Sequence, residues 1–254
     1  MALGGGAIAI LGYIAKLEQE DRQIMMTLFG RHVTPKIAEA IWLSRHQLLK
    51  KGQLIGQQMT ATVLFSDLKG FTTIATRLPP AELMSWLNEY MQVMAQTVLE
   101  HDGVIDKFIG DAVMALFGVP IPRTKPEEIA ADAIAAVACA RAMGNNLRSL
   151  NEQWQKTGRP TVAMRVGIAT GIVVTGSLGS AQRLDYTVIG DTVNVAARLE
   201  SYDKSWDAEL CRILIGEETY QLVQNHFIAR YIGNVYLKGR EQPTKIYQVD
   251  LTDE

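Results

Sequence analysis

The sequence predicts an α+β domain with a βαββαβ core, preceded by a helical segment and followed by further strands and a short helix. Three observations predict this class of fold. Short apolar runs rich in β-branched residues alternate with longer segments of helical periodicity. The stretch Asp106–Gly118 has a Gly-Asp pair between two apolar runs, which is typical of a β-hairpin. The segments follow in the order strand, helix, hairpin, helix, strand, which is the order of ferredoxin-like folds.

Each element is predicted from a local pattern. Thr62–Phe65 is a short apolar run that predicts a buried strand, and Phe71–Thr76 predicts the start of a helix. Pro79-Pro80 opens a long helix whose apolar residues follow i, i+3, i+4 spacing. The other predicted elements are a hairpin of strands 107–109 and 112–117, a helix that begins between Thr124 and Pro126, a strand over 162–169 that breaks at Thr170-Gly171 and resumes over 172–175 as a second hairpin, a short helix over 217–223, and strands over 213–215, 228–237 and 245–249.

The composition is that of a globular protein with a substantial core. The chain has 254 residues, of which 48% are hydrophobic and 20% charged. A net charge of −2 gives no electrostatic footprint for nucleic acid, so any affinity for phosphate must be local. Cys139 falls in an alanine-rich helix and Cys211 opens an apolar strand, which indicates reduced core thiols and a cytoplasmic setting.

Two segments precede the main domain, which we expect over residues 57–254. Residues 1–15 are apolar but too short to span a bilayer, and no basic residue precedes them as in a signal peptide. They are either a floppy tail or the stub of a membrane helix, and the abrupt polar turn from Lys16 favours the stub. Residues 16–56 predict a helical connector, with helical periodicity from Leu17 to Leu54 and a fresh start at Pro35.

Two carboxylates are placed where a metal beside a phosphate could be bound. Asp67 follows the strand at 62–65, and the backbone N–H groups at Phe71 and Thr72 begin the next helix, facing a possible anion. Asp111 is presented at the tip of the hairpin. Two carboxylates that meet repel one another unless a cation lies between them. The alternatives are that Asp67 caps the helix and that Asp111 is an ordinary turn residue.

Three motifs resemble the catalytic domain of class III nucleotidyl cyclases, of the bacterial, sensor-linked type. They are FSDLKGFT, DKFIGDAVMALFG and YTVIGDTVNVAARLE, in this order and at the family's approximate spacing, and the resemblance covers about Gln57–Val249. It implies that Asp67 and Asp111, with the backbone carbonyl of Leu68, hold two Mg²⁺ or Mn²⁺ ions. It also implies attack of the ribose 3′-hydroxyl on the α-phosphate of a nucleoside triphosphate, with release of pyrophosphate.

The third motif supplies residues for the reacting phosphate. Asn194 and Arg198 are four residues apart and would share one face of a helix. By the resemblance, Asn194 orients the ribose, Arg198 stabilises the transition state, and Lys238 binds the terminal phosphates. The alternatives are a surface salt bridge for Arg198 and a solvated charge for Lys238.

Base choice depends on Lys107 and Thr187, which correspond to the family's base-reading positions. A lysine only donates, so Lys107 suits the N1 acceptor of adenine and meets the N1–H of guanine badly. Thr187 can accept from the 6-amino group of adenine, although its hydroxyl could also donate to the O6 of guanine. We therefore predict an adenylyl cyclase that uses ATP, with a guanylyl cyclase and an inactive cyclase-like dimerisation module as the alternatives.

The resemblance also concerns partners. It implies a homodimer in which the carboxylates of one protomer and the base-reading residues, Asn194 and Arg198 of the other form each active site. The segment Leu28–Arg31 followed by Thr34-Pro35 resembles the connector that joins such domains to an upstream sensor. We accordingly expect a cytoplasmic catalytic domain, tethered to a membrane if residues 1–15 belong to a membrane helix.

Overall fold

The computed structural model describes residues 13, 16, 19, 42–44, 49–50, 53–54, 56–180, 183–203, 210–236 and 242–252. Most of the predicted tail and connector lies outside the described residues. Residues 13, 16, 19, 42 and 43 are helical, whereas Leu49–Lys50 pairs antiparallel with Gln53–Leu54. The helix predicted as far as Leu54 is therefore wrong at its end.

From residue 57 onward, the part of the chain that the structure describes forms eight strands and five helices. In chain order they are β1 (Gln57–Lys69), α1 (Phe71–Arg77), α2 (Pro80–Glu100), β2 (Val104–Ile109), β3 (Ala112–Phe117), α3 (Pro126–Lys156), β4 (Ala163–Ser180), β5 (Arg183–Ile189), α4 (Asp191–Ser201), β6 (Cys211–Gly216), α5 (Glu217–Val223), β7 (Ala229–Val235) and β8 (Thr244–Val249).

All eight strands belong to one mixed sheet. Its order is β2-β3-β1-β4-β6-β8-β7, and β5 pairs with the extended half of β4. The first four of these strands are antiparallel neighbours, with β1 at the centre, as in a ferredoxin-like βαββαβ unit. β4 and β6 are parallel, and β6, β8 and β7 add the predicted C-terminal strands. The predicted α+β class is confirmed.

The sheet has a hydrophobic core on each face. On one face, α2, α3 and α5 cover a large cluster that includes Trp86 and Trp154, whose ring centroids are 4.8 Å apart. On the other face, α4 buries Val195, Ala196 and Leu199 against β1 and β4. Because both faces of β1 are covered, its central stretch is a continuous apolar run instead of an alternating one.

The second hairpin predicted at Thr170-Gly171 is wrong. β4 runs without a break from Ala163 to Ser180, and its hairpin partner is β5. Gly171 serves packing instead of a turn, since a Cβ atom there would lie 2.7 Å from Oγ1 of Thr192 on α4. A glycine inside a strand often marks such a close approach.

Two further expectations concern thiols and membranes. Cys139 and Cys211 are both free and buried, and burial raises the pKa of each thiol to about 12. Among the described residues, the helices are too short or too polar for any of them to span a bilayer. The predicted membrane-helix stub at residues 1–15 lies almost entirely outside the described part of the chain.

Candidate active site

Asp67, Leu68 and Asp111 lie together at one end of the central strands. Asp67 lies within β1, which continues to Lys69. Gly70, at φ 77°, then turns the chain into α1. Asp111 follows Gly110, at φ 64°, in the turn between β2 and β3. The backbone N–H of Leu68 donates to Oδ2 of Asp111 over 3.2 Å. The structure thus brings together the three residues predicted to hold metal, although Asp111 lies 43 positions beyond Leu68.

The electrostatics of this pair are set by burial and by a nearby arginine. Burial and the charge of Asp67 raise the pKa of Asp111 to about 6. Asp67 is opposite Arg165 in the β1–β4 register, and the Arg165 guanidinium donates to its Oδ2 over 2.7 Å. Arg165 also forms an ion pair with Glu200 at the end of α4, with 3.1 Å between Nε and Oε1.

Sequence reasoning missed Arg165. The signal was present, because Arg165 is a charged residue within the otherwise apolar stretch Val162–Ala169. Its side chain is only 10% exposed, and a buried guanidinium requires a charged partner. In this fold the partners are Asp67 and Glu200. The arginine therefore offsets the charge of Asp67, which is one of the two carboxylates predicted to bind metal.

The donor set fits a hard divalent cation. Two carboxylates and a backbone carbonyl offer the oxygen ligands that Mg²⁺ and Mn²⁺ prefer. No cluster of three or more His, Cys, Asp or Glu side chains suited to a metal occurs among the described residues. Burial first, and then the charge of Asp67, raise the pKa of Asp111, so a cation between the two carboxylates would relieve part of the cause.

Phe71 and Thr72 are the first two residues of α1. Gly70 precedes them, and no side chain of the described residues caps this helix start. The ring of Phe71 stacks on that of Trp86, with centroids 6.4 Å apart, so this partly buried side chain packs against the core. The backbone N–H group of Phe71, at the helix start, is the part of this residue that could bind an anion.

The two predicted base-reading residues are in direct contact. Lys107 on β2 donates from Nζ to Oγ1 of Thr187 on β5 over 2.9 Å, across 80 positions of sequence. A third residue, Asp106, joins them: its Oδ2 is 2.8 Å from Nζ of Lys107 and accepts from the Thr187 hydroxyl over 3.1 Å. The β2–β3 register shifts between Ile105 and Lys107, so Asp106 is the extra residue of a β-bulge. Sequence reasoning did not single out Asp106.

Asn194 and Arg198 lie one turn apart on α4, as predicted. Asn194 is exposed and Arg198 is half-buried. Arg198 forms no ion pair with any residue that the structure describes, so the salt-bridge alternative finds no support there.

Both ends of α4 are fixed. The Thr192 hydroxyl donates to the carbonyl of Ile172 over 2.8 Å. At the other end, the buried Arg212 guanidinium donates to the carbonyls of Glu200, over 3.0 Å, and Asp203, over 2.8 Å, and also to that of Tyr202. A cation at a helix C-terminus is favourable because the last carbonyls carry partial negative charge.

Within one chain the candidate residues form three separate groups. These are the metal group (Asp67, Leu68 and Asp111), the base group (Asp106, Lys107 and Thr187), and the helix pair (Asn194 and Arg198). No hydrogen bond among the described residues joins the metal group to either of the others. Lys238, the predicted ligand of the terminal phosphates, lies outside the described residues.

The fold and this site define a domain with the motifs of a nucleotide cyclase. The model of the adenylate and guanylate cyclase catalytic domain matches residues 55–250 of the chain. The chain therefore belongs to the family of class III nucleotide cyclase domains.

Curated relatives share this domain within longer proteins. An uncharacterized protein of Mycobacterium tuberculosis, Rv1319c, is 36% identical over 89% of this chain and 38% of its own length. An adenylate cyclase of Anabaena cylindrica is 33% identical over 97% of this chain and 48% of its own length. The chain thus spans less than half the length of these two relatives.

Solved structures of an adenylyl cyclase and of a guanylyl cyclase are both similar to this chain. The adenylyl cyclase CyaB from P. aeruginosa is 39% identical, covers 78% of this chain and 96% of its own, and has a TM-score of 0.71. The guanylyl cyclase Cya2 is 35% identical, covers 76% of this chain and 93% of its own, and has a TM-score of 0.66. Overall similarity therefore establishes the cyclase domain and does not distinguish ATP from GTP as the substrate.

Proposed function

We propose that this chain is an adenylyl cyclase domain that converts ATP to 3′,5′-cyclic AMP and pyrophosphate. The observation that carries the proposal is the 2.9 Å hydrogen bond from Lys107 to Thr187. It joins the two residues at the family's base-reading positions into one polar edge. A lysine donor at this edge suits N1 of adenine, whereas the N1–H of guanine would face it donor to donor. Mispairing a buried polar group costs roughly 1–3 kcal/mol, about ten- to a hundredfold in selectivity.

The other candidate residues would bind the ribose, the phosphates and the metal ions. Arg198 would donate to the α-phosphate oxygens as charge develops on them, and Asn194 would orient the ribose. Lys238 and the backbone N–H groups of Phe71 and Thr72 would bind the triphosphate. Asp67, Asp111 and the Leu68 carbonyl would hold two Mg²⁺ or Mn²⁺ ions. These ions supply charge neutralisation at the triphosphate and a lowered pKa at the 3′-hydroxyl.

A homodimer with shared sites is supported by the lack of any hydrogen bond, among the described residues, between the metal group and the other two groups. In the proposed assembly, the metal group of one protomer meets the base group and helix pair of its partner. An exposed apolar patch formed by Ile172, Val174 and Ile189 supports a second copy as partner. Val174 is directly opposite Ile189 in the β4–β5 register, so these side chains are contiguous. Exposed apolar patches of this kind commonly mark protein–protein contacts.

The parent protein is proposed to be longer. Because the chain spans less than half of the two curated relatives, we infer that residues 16–56 connect the cyclase domain to an upstream sensor or membrane segment. The domain itself is then expected on the cytoplasmic side, where ATP is available.

The test is a competition between nucleotides. Purified protein is incubated with Mg²⁺ or Mn²⁺ and equal ATP and GTP, and the products are identified by mass spectrometry, with an Asp67→Asn variant as the inactive control. An excess of cyclic AMP supports the proposal. An excess of cyclic GMP would favour the second candidate, a guanylyl cyclase like the similar Cya2. Neither product, from a protein shown to bind Mn²⁺ and to dimerise, would favour an inactive dimerisation module.

A further inference from the structure

We infer that Asp106 is a specificity-determining residue that fixes Thr187 as a hydrogen-bond acceptor and thereby selects adenine over guanine. The inference rests on the proposed function and deepens it, because it concerns the one ambiguity in the base-reading pair. A threonine hydroxyl can donate or accept, so Thr187 by itself does not distinguish a 6-amino group from a 6-carbonyl group.

The geometry assigns Asp106 to this task. Its side chain is fully buried, with 0% exposure, and its Oδ2 contacts both members of the pair, Lys107 Nζ at 2.8 Å and Thr187 Oγ1 at 3.1 Å. In a regular strand, neighbouring side chains point to opposite faces. The bulge at Asp106 breaks that alternation, so two consecutive side chains of β2 reach the same threonine on β5.

The direction of each hydrogen bond follows from the groups involved. An ammonium group 2.8 Å from Oδ2 favours the ionised form of Asp106, and a carboxylate only accepts. The Thr187 hydroxyl therefore gives its single proton to Asp106. Of its two lone pairs, one accepts from Lys107 and the other is available to a ligand. Lys107 has three N–H groups, two of which point to Thr187 and Asp106, so the third is available to a ligand as well.

The pair thus offers one donor, from Lys107, and one acceptor, from Thr187. With Lys107 at N1 and Thr187 at position 6, adenine matches both groups, since N1 accepts and the 6-amino group donates. Guanine in the same pose mismatches both, because its N1–H faces the lysine and its O6 faces a lone pair. Without Asp106, the hydroxyl could rotate and donate to O6, and half of the discrimination would be lost.

The experiment compares kcat/KM for ATP and GTP in the wild type, Asp106→Asn, Thr187→Val and the double variant. An asparagine amide keeps the shape of the side chain but can donate to the hydroxyl, so Thr187 is freed to donate to the base. We expect the ATP-to-GTP ratio to fall about tenfold in Asp106→Asn. In the Thr187→Val background, Asp106→Asn should leave the ratio unchanged, because Asp106 acts through the hydroxyl.

Two results would overturn the inference. The ATP-to-GTP ratio could stay at the wild-type value in a folded Asp106→Asn protein; an equal loss of activity on both nucleotides belongs here and is the sign of a merely structural role. Alternatively, Asp106→Asn could lower the ratio by the same factor when valine occupies position 187. A wild type that makes no cyclic nucleotide would instead refute the proposed function, so the two failures are distinguishable.

A second measurement needs no substitution at Asp106, in case that variant does not fold. Purine riboside triphosphate keeps N1 but lacks the 6-amino group. The wild type should use it about tenfold less well than ATP, because the Thr187 acceptor then has no donor to face. Thr187→Val should treat the two nucleotides alike. A wild type that uses both equally well would show that Thr187 does not accept from position 6.

Discussion

The charges at the metal group balance only in part. Arg165 offsets Asp67 over 2.7 Å, and Asp111, half-buried beside them, has its pKa raised to about 6. In the metal-free chain this carboxyl keeps its proton to a higher pH than it would when unfolded, where a value near 4 is ordinary. The site therefore holds a carboxyl group that must give up its proton before it can serve a cation.

The sign of the pH dependence follows from this shift. A carboxyl with a raised folded-state pKa stabilises the fold below its unfolded pKa, and this contribution is lost as pH rises through about 6. We expect the metal-free wild type to lose unfolding free energy between pH 4.5 and pH 7.5 relative to Asp111→Asn, measured by urea unfolding in a chelator. Identical pH profiles for the two proteins would contradict the assignment.

Metal affinity should show the opposite trend at the same group. Because a bound cation requires the ionised carboxylate, Mn²⁺ affinity should rise as pH rises through about 6, by up to about tenfold per pH unit below that value. Titration calorimetry with Mn²⁺ at pH 5 and pH 7.5 measures this. Arg198→Ala, which leaves both carboxylates in place, is the matched control and should show the same pH dependence.

Arg198 provides a separate prediction at the level of one residue. Its half-buried guanidinium has no ion-pair partner among the described residues, so removing it should cost little stability. Arg198→Ala should lower kcat by about 10²–10³, the scale for one transition-state donor, with little change in Tm. A large fall in Tm at unchanged kcat would instead favour a structural role.

At the level of elements, the position of α4 is set by close contact with the sheet. A Cβ atom at Gly167 of β4 would lie 2.2 Å from the carbonyl oxygen of Ala196 and 2.2 Å from the backbone nitrogen of Glu200. Only a glycine lets the helix approach this closely, so Gly167 and the Arg212 contacts together determine where Asn194 and Arg198 stand.

Gly167→Ala should therefore push α4 away from the sheet. We expect kcat to fall about tenfold or more, since an error near 1 Å in the placement of a catalytic group can cost this much, and Tm to fall as well. Gly216→Ala is the matched control, because its new methyl group would meet nothing closer than 3.7 Å and its φ is negative. Similar losses in the two variants would show that the contact is not specific to α4.

The strands and helices also show which parts of the fold could be predicted from the sequence and which could not. Runs such as Thr62–Phe65 and the hairpin around Gly110 predicted strands correctly, because apolar periodicity and turn residues are local signals. The predicted break at Thr170-Gly171 was wrong because that glycine allows close packing of Thr192 on α4, 21 residues further along the chain. Arg165 and Asp106 were missed for a related reason: each has its role only through a partner on a distant strand, and one sequence does not show strand register.

At the level of the whole molecule, a shared active site has a direct test. Asp67→Asn and Arg198→Ala proteins are each expected to be inactive, since each removes one half of both sites. After subunit exchange, half of the dimers would be mixed and hold one intact site of two, so activity should return to about a quarter of the wild-type value. Failure to recover activity, with mixed dimers demonstrated by mass, would contradict the shared-site assembly.

The β-bulge at Asp106 has a consequence for transplanting base preference between cyclases. A lysine and a threonine copied into a relative whose second strand lacks the extra residue would have no carboxylate on the lysine's face, because consecutive side chains of a regular strand point to opposite faces. Such a graft should acquire the two residues without acquiring the selectivity. With the role proposed for Asp106, nucleotide choice would depend on the β2 register as well as on the side chains, and a single-residue deletion in β2 should abolish it as completely as any substitution.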